Sequence, residues 1–216
     1  MLALALLVGS LGATEAAAGS AARGSRAPQT AALQLASLTA PEPLGVAEAP
    51  APGPAWEGRD IDGDGQPDFA NPTGGAPRSH DAYGDGWFHA RRDGGSRPHE
   101  GVDYDATPGQ TVVAPISGYV SKIGYAYPGD SRLRYVEIEN PALHLAARAL
   151  YVDPSVQVGD AVQVGRPIGA ALSLQRRYPG ITNHVHLEIA EAGRKIDAQR
   201  VILARGPDAG VMTGMN

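Results

Sequence analysis

The sequence predicts an all-β domain, a small antiparallel sandwich or barrel, over about residues 78 to 205. Three observations carry this. Short runs rich in β-branched and aromatic residues recur between Gly, Pro and Asn. No stretch beyond the N-terminal leader holds a long apolar period of the helical kind. Val158-Gly159 and Val164-Gly165 recur inside VGDAVQVGRPIG, a spacing that suits strands joined by tight glycine turns.

Taken in order, the N-terminus reads as an export signal. Leu2 to Leu11 is apolar apart from Gly9 and Ser10. That run is too short to cross a bilayer, which takes about 20 apolar residues. Ala16 and Ala18 form an A-x-A site before Gly19, although no base precedes the apolar run. Residues 1–18 are therefore expected to be removed, leaving an exported chain, periplasmic or secreted. Residues 19–55 are dominated by Ala, Pro, Gly and Ser, and such a stretch buries too little surface to offset its chain entropy. It is expected to be a disordered linker, and residues 206–216 a tail.

Residues 56–77 are dense in Gly and Asp. Within DIDGDGQPD, Asp60, Asp62, Asp64 and Asp68 fall at positions 1, 3, 5 and 9 of a calcium loop, with Gly65 at position 6. Carboxylates alternating with glycines suit a hard cation that takes oxygen ligands. Asn71 stands where a full loop carries its bidentate Glu, and no helix signal flanks the motif. Calcium is the expected ion.

The strands expected next are Thr111–Ala114, Tyr119–Ile123, Tyr135–Glu139, Leu143–Tyr151 and Val185–Ile189, with a hairpin turn at Asn140-Pro141. Side chains two apart on a strand share a face. In NHVHLEI, Val185, Leu187 and Ile189 would face the core, and His184, His186 and Glu188 would line the other face. Two imidazoles on a rigid strand are a natural start for a zinc site. His99 and Asp103, in HEGVD, add one nitrogen and one oxygen ligand. Three protein ligands and an open position are the pattern of a catalytic zinc. His80, His89 and His144 are expected to stay outside the site, and Trp87 and Phe88 to pack on the domain's edge.

Composition excludes other classes. The 216 residues carry 18 bases against 23 acids, a formal charge of −5, so neither nucleic acid nor an anionic membrane surface is expected as partner. The chain has no Cys, which removes disulfides, thiol catalysis and cysteine-ligated zinc.

The order HEGVD, TVVAPISGYVSKIG, VQVGDAVQVGRPIG and HVHLEI resembles the LytM/lysostaphin-type zinc peptidases over about residues 97 to 198. LSLQRRYPGITNHVHLEI is similar to the chemotaxin-like animal branch of that family. The resemblance implies a groove over a small antiparallel sheet, with His99, Asp103 and His186 as zinc ligands. It implies a catalytic role for His184 beside the metal and an orienting role for Glu188. The substrates implied are peptide bonds of bacterial peptidoglycan. In one place the pattern departs. Active members carry a second catalytic His in a Y-x-H segment, and Asp153 stands there in Tyr151-Val152-Asp153. The activity expected is weak. The alternative is a silent zinc module that binds wall fragments or an envelope protein. The glycine-turn region is also similar to biotinyl and lipoyl carriers. Those need a Lys at a hairpin tip, whereas Lys122 lies within a strand run.

Overall fold

The computed structural model describes residues 55–205; the leader, most of the linker and the tail lie outside the described residues. Fourteen strands and two 3-10 turns account for the regular structure, and no α-helix occurs among the described residues. In chain order the strands are β1 (Ala55–Gly58), β2 (Arg91–Arg92), β3 (Arg97–Pro98), β4 (Val102–Asp105), β5 (Thr111–Val113), β6 (Gly118–Tyr127) and β7 (Asp130–Asn140). They continue with β8 (Leu145–Leu150), β9 (Val152–Pro154), β10 (Ala161–Val162), β11 (Pro167–Ala171), β12 (His184–Glu191), β13 (Arg194–Ile196) and β14 (Ile202–Arg205).

The main sheet is antiparallel in the order β10-β6-β7-β8-β12-β13, with β4 also paired to β12. A three-stranded sheet, β5-β11-β9, and the pairs β1-β14 and β2-β3 complete the topology. The Asn140-Pro141 turn joins β7 to β8 as predicted, and Asn140 Oδ1 accepts the Leu143 N–H at 3.2 Å. The core gathers Val136, Ile138, Ala147 and Ala149 of the sheet with Val112, Val152 and Ile168 of the smaller one. Val185, Leu187 and Ile189 are fully buried in it, on the face that alternation assigns them.

The folded body begins earlier than residue 78. Ala55 pairs with Arg205 across β1-β14, and Trp56 meets Tyr104 edge-on at 5.9 Å. Phe69 is 1% exposed in the main core. Residues 55–77 therefore belong to the same unit, held by two aromatic anchors in an otherwise polar stretch.

Candidate metal centre

β12 is the central support. Its His184–Leu187 half pairs with Asp105–Val102 of β4, placing His186 directly across from Asp103. Its other edge pairs with β8. His99 arrives from the turn before β4. Gly101 explains the HEGVD spacing: a Cβ there would lie 2.4 Å from the Leu187 carbonyl oxygen and 2.9 Å from Cε1 of His186. Only a bare backbone lets the strand and the imidazole approach that closely.

His99 Nε2, His186 Nδ1 and Asp103 Oδ1 converge at separations of 2.8, 2.9 and 3.1 Å. All three residues are buried, at 4%, 8% and 2% exposure. Each imidazole is anchored through its other nitrogen. His99 Nδ1–H donates to the Trp87 carbonyl at 2.9 Å. His186 Nε2–H faces Glu188 Oε1 at 3.4 Å. These acceptors fix the tautomers, so lone pairs point inward from both rings. Two nitrogen lone pairs and a carboxylate oxygen at such distances repel one another unless a cation or proton lies among them. Burial disfavours a charged His186, but the carboxylates of Asp103 and Glu188 outweigh it and lift the imidazole to about 9. The donor set, two nitrogens and one oxygen with one direction left open, fits a zinc ion.

His184 lies beside this set. Its Nδ1–H donates to the Thr182 carbonyl at 2.7 Å, and its Nε2 stands 3.6 Å from Asp103 Oδ1. Burial pushes its pKa below the usual value despite Asp103, so at neutral pH it is neutral with a free lone pair facing the cluster. Glu188 is buried. Burial opposes its charge, but His186 and Lys195 hold its carboxyl down at about 2.

Several residues of the site carried no signal in the sequence. Arg78 is 2% exposed and clamps Asp103 Oδ2 through Nε at 3.3 Å and Nη2 at 2.9 Å, leaving Oδ1 for the cluster. Asp81 braces Arg78 at 2.7 Å. Gly86 makes room for this clamp, since a Cβ there would lie 2.7 Å from the Cβ of Arg78. Lys195 and Arg148 reach Glu188 from β13 and β8. Tyr151 stands edge-on to His184 at 5.4 Å, and its hydroxyl pairs with that of Tyr127 at 2.6 Å. Above the cluster runs a groove of about 490 Å³ whose walls include Arg92, Tyr127, Tyr151 and Tyr178.

Asp153, expected at the place of a second catalytic His, does not line this groove. Its side chain is 65% exposed and faces Arg134 at 3.5 Å, on β9 in the smaller sheet. The reason is local. Tyr151 takes the left-handed conformation, φ 69°, which ends β8 and turns the following residues away. His80 is exposed and pairs with Asp85, His89 stacks on Phe88, and His144 occupies a turn with φ 54°. Phe88 packs against the core as expected, whereas Trp87 is 46% exposed and contributes its carbonyl.

The acidic motif behaves differently. Carboxylate oxygens of Asp60, Asp62 and Asp64 can come within 4.8 Å of one another. Asp68 Oδ2 instead accepts the Ile61 N–H at 2.8 Å. Asp60 accepts from Gly63 and Gly65, Asp62 from Asp64, and Asp64 from Gln66.

The fold and the donor set define a β-sheet protein with a site shaped for one metal ion of the three-ligand, open kind. Residues 97–198 match the model of peptidase family M23, and the chain belongs to that family. Mouse leukocyte cell-derived chemotaxin-2 is 33% identical over 116 residues, 51% of this chain and 71% of the mouse protein. Chicken myeloid protein 1 is 34% identical over 120 residues, 55% of this chain but 36% of its own length. Among solved structures, the catalytic domain of lysostaphin from Staphylococcus simulans matches 54% of this chain and 88% of that chain, at 24% identity and TM-score 0.42.

Proposed function

We propose that the chain is an exported zinc metallopeptidase of M23 type that hydrolyses peptide bonds of bacterial peptidoglycan, with modest activity. The observation that carries this is the inward-facing donor set of His99, Asp103 and His186, with both imidazoles anchored from behind. A zinc ion held there supplies Lewis acidity toward a peptide carbonyl and makes water a nucleophile near neutral pH. His184 Nε2 is placed to take the proton of the attacking water, because its Nδ1–H is committed to Thr182. Glu188 holds His186 in the tautomer that offers Nδ1. Tyr151 packs against His184 and fixes its plane. Export rests on the apolar leader and its A-x-A site.

A second reading is favoured by the groove's wall. Besides His184 and the two ligand imidazoles, no histidine lines it among the described residues. One missing acid–base group costs on the order of 10² to 10⁴ in rate. On this reading the chain binds a wall fragment or an envelope protein through the same groove without cleaving it. Digestion of cross-linked wall peptides by the zinc-loaded protein, with His184→Ala as control, decides between them. Cleavage lost in the variant supports the enzyme. Tight zinc without cleavage in either protein supports the binding module.

Calcium at the 60–68 loop is a further part of the proposal. It is supported by the carboxylate spacing and by the grouping of Asp60, Asp62 and Asp64.

A further inference from the structure

The groove has two unlike walls. One carries the tyrosines 127, 151 and 178. The other is the β2-β3 hairpin, which brings Arg91, Arg92 and Arg97 to the groove of a chain whose formal charge is −5. Arg97 pairs with Asp93 at 2.6 Å, and Arg92 has only the longer contact to Asp103 at 3.4 Å. The Arg91 side chain makes no hydrogen bond or ion pair among the described residues. Its guanidinium lies over Gly95, where a Cβ would come within 2.7 Å of Nη2. Gly95 has φ 97°, so the turn both requires and exposes bare backbone under the arginine.

Arg92 is the more telling residue. Its side chain is 14% exposed, yet Nη1 is buried without a hydrogen-bond partner. Nη2 reaches only the far oxygen of Asp103, at 3.4 Å, an oxygen that Arg78 already holds. The rest of the Arg92 side chain borders the groove, where it can meet an acceptor. Asp103 Oδ1 faces the donor cluster while Oδ2 faces Arg92, so the guanidinium stands one carboxylate's width from the metal position.

We infer that Arg91 and Arg92 form an anion subsite that takes a carboxylate, side-chain or terminal, on the residue flanking the bond presented to the metal. A planar guanidinium with free N–H groups pairs with a carboxylate in two parallel hydrogen bonds. The opposite tyrosine wall packs the apolar part of the same residue. The inference rests on the peptide reading of the groove, and it narrows that reading to acidic peptides.

The test is an NMR titration of the full chain, zinc-free and zinc-loaded, with acetyl-Gly-Gly-Glu and with its Gln amide counterpart. The acidic peptide is expected to bind about tenfold or more tightly in both states, the scale of one charge-assisted hydrogen bond. The preference should shrink as salt rises. Arg91→Gln, on the surface, and Arg92→Lys, which keeps charge but not the fork, should each reduce it. Equal binding of the two peptides overturns the subsite, as does no binding of either. A preference that appears only with zinc, or survives unchanged in both variants, also overturns it by assigning the carboxylate to the metal. If wall peptides are neither bound nor cleaved while acetyl-Gly-Gly-Glu keeps its arginine-dependent preference, the proposed function fails and the subsite stands.

Discussion

Two groups of metal-ligand side chains sit on this chain, and they are built in opposite ways. At His99, Asp103 and His186 the protein satisfies the outward side of each ligand and turns the inward atoms only toward one another. At Asp60, Asp62 and Asp64 the carboxylates are exposed and spend oxygens on backbone N–H groups of their own loop. The first arrangement holds a proton on His186 at neutral pH, and an ion can take that proton's place. The second is a set of turns closed by its own hydrogen bonds. Proximity of donors alone thus says less than where the other hydrogen bonds of each donor go.

The sharpest way to break this contrast is His186→Ala. Zinc measured by elemental analysis of the purified protein should fall to background, because two donors remain and a three-ligand site needs three. Equal zinc in the variant and the wild type would remove the basis of the comparison. Next comes Arg78→Ala, which takes the buried cation from Asp81 and leaves Asp103 Oδ2 only the longer contact to Arg92. Breaking a buried pair from one side costs about 3–5 kcal/mol. Denaturant unfolding should show that loss, and zinc affinity should fall about 10- to 100-fold with the loosened carboxylate.

Asp81→Asn probes the brace behind that clamp. Burial opposes the charge of Asp81, but the Thr182 and Tyr83 N–H groups and Arg78 outweigh it and hold its carboxyl below the usual carboxylate range. A depressed carboxyl contributes stability that is present above its unfolded pKa and is lost as pH falls through the folded one. The variant should therefore be about 1–2 kcal/mol less stable at neutral pH. Its stability curve should converge on the wild type toward acid. A constant gap across the acid range would place the effect in packing instead of charge.

The smallest effect is expected at the acidic loop. If calcium binds, it should slow proteolysis between residues 56 and 75 while leaving global unfolding nearly unchanged, since the loop already satisfies its own donors. Identical digestion with calcium and with chelator would reduce the motif to its turns.

Much of the scaffold was legible because strands announce themselves by alternation and by the turns between them. The H-x-H pair was legible for the same reason, since a two-residue period carries both rings to one face. What could not be read were partners supplied from afar by isolated residues. Arg78 sits in a turn-rich stretch with no periodic pattern, 25 positions before the aspartate it holds. Phe69 is one apolar residue among glycines and aspartates, so the start of the folded unit was placed too late. Asp153 was assigned to the second-histidine position by the family's Y-x-H pattern, and a sequence pattern carries no backbone angles. Tyr151 takes the left-handed region just ahead of it, a conformation that residue type does not advertise, and the Asp153 side chain is exposed.

The β1-β14 pair has a consequence for how this unit is carried within a longer chain. Ala55 and Arg205 are register partners, so the polypeptide enters and leaves the folded body at adjacent points. A domain whose ends meet can be set into a loop of a host protein, or reopened elsewhere with its ends joined, without pulling the fold apart. Anything attached at one end therefore departs beside whatever is attached at the other. The pair is packed into the core through Trp56 and Ile202, and a cut at residue 97, where the family match starts, would remove one of its two strands along with Arg78 and Arg92.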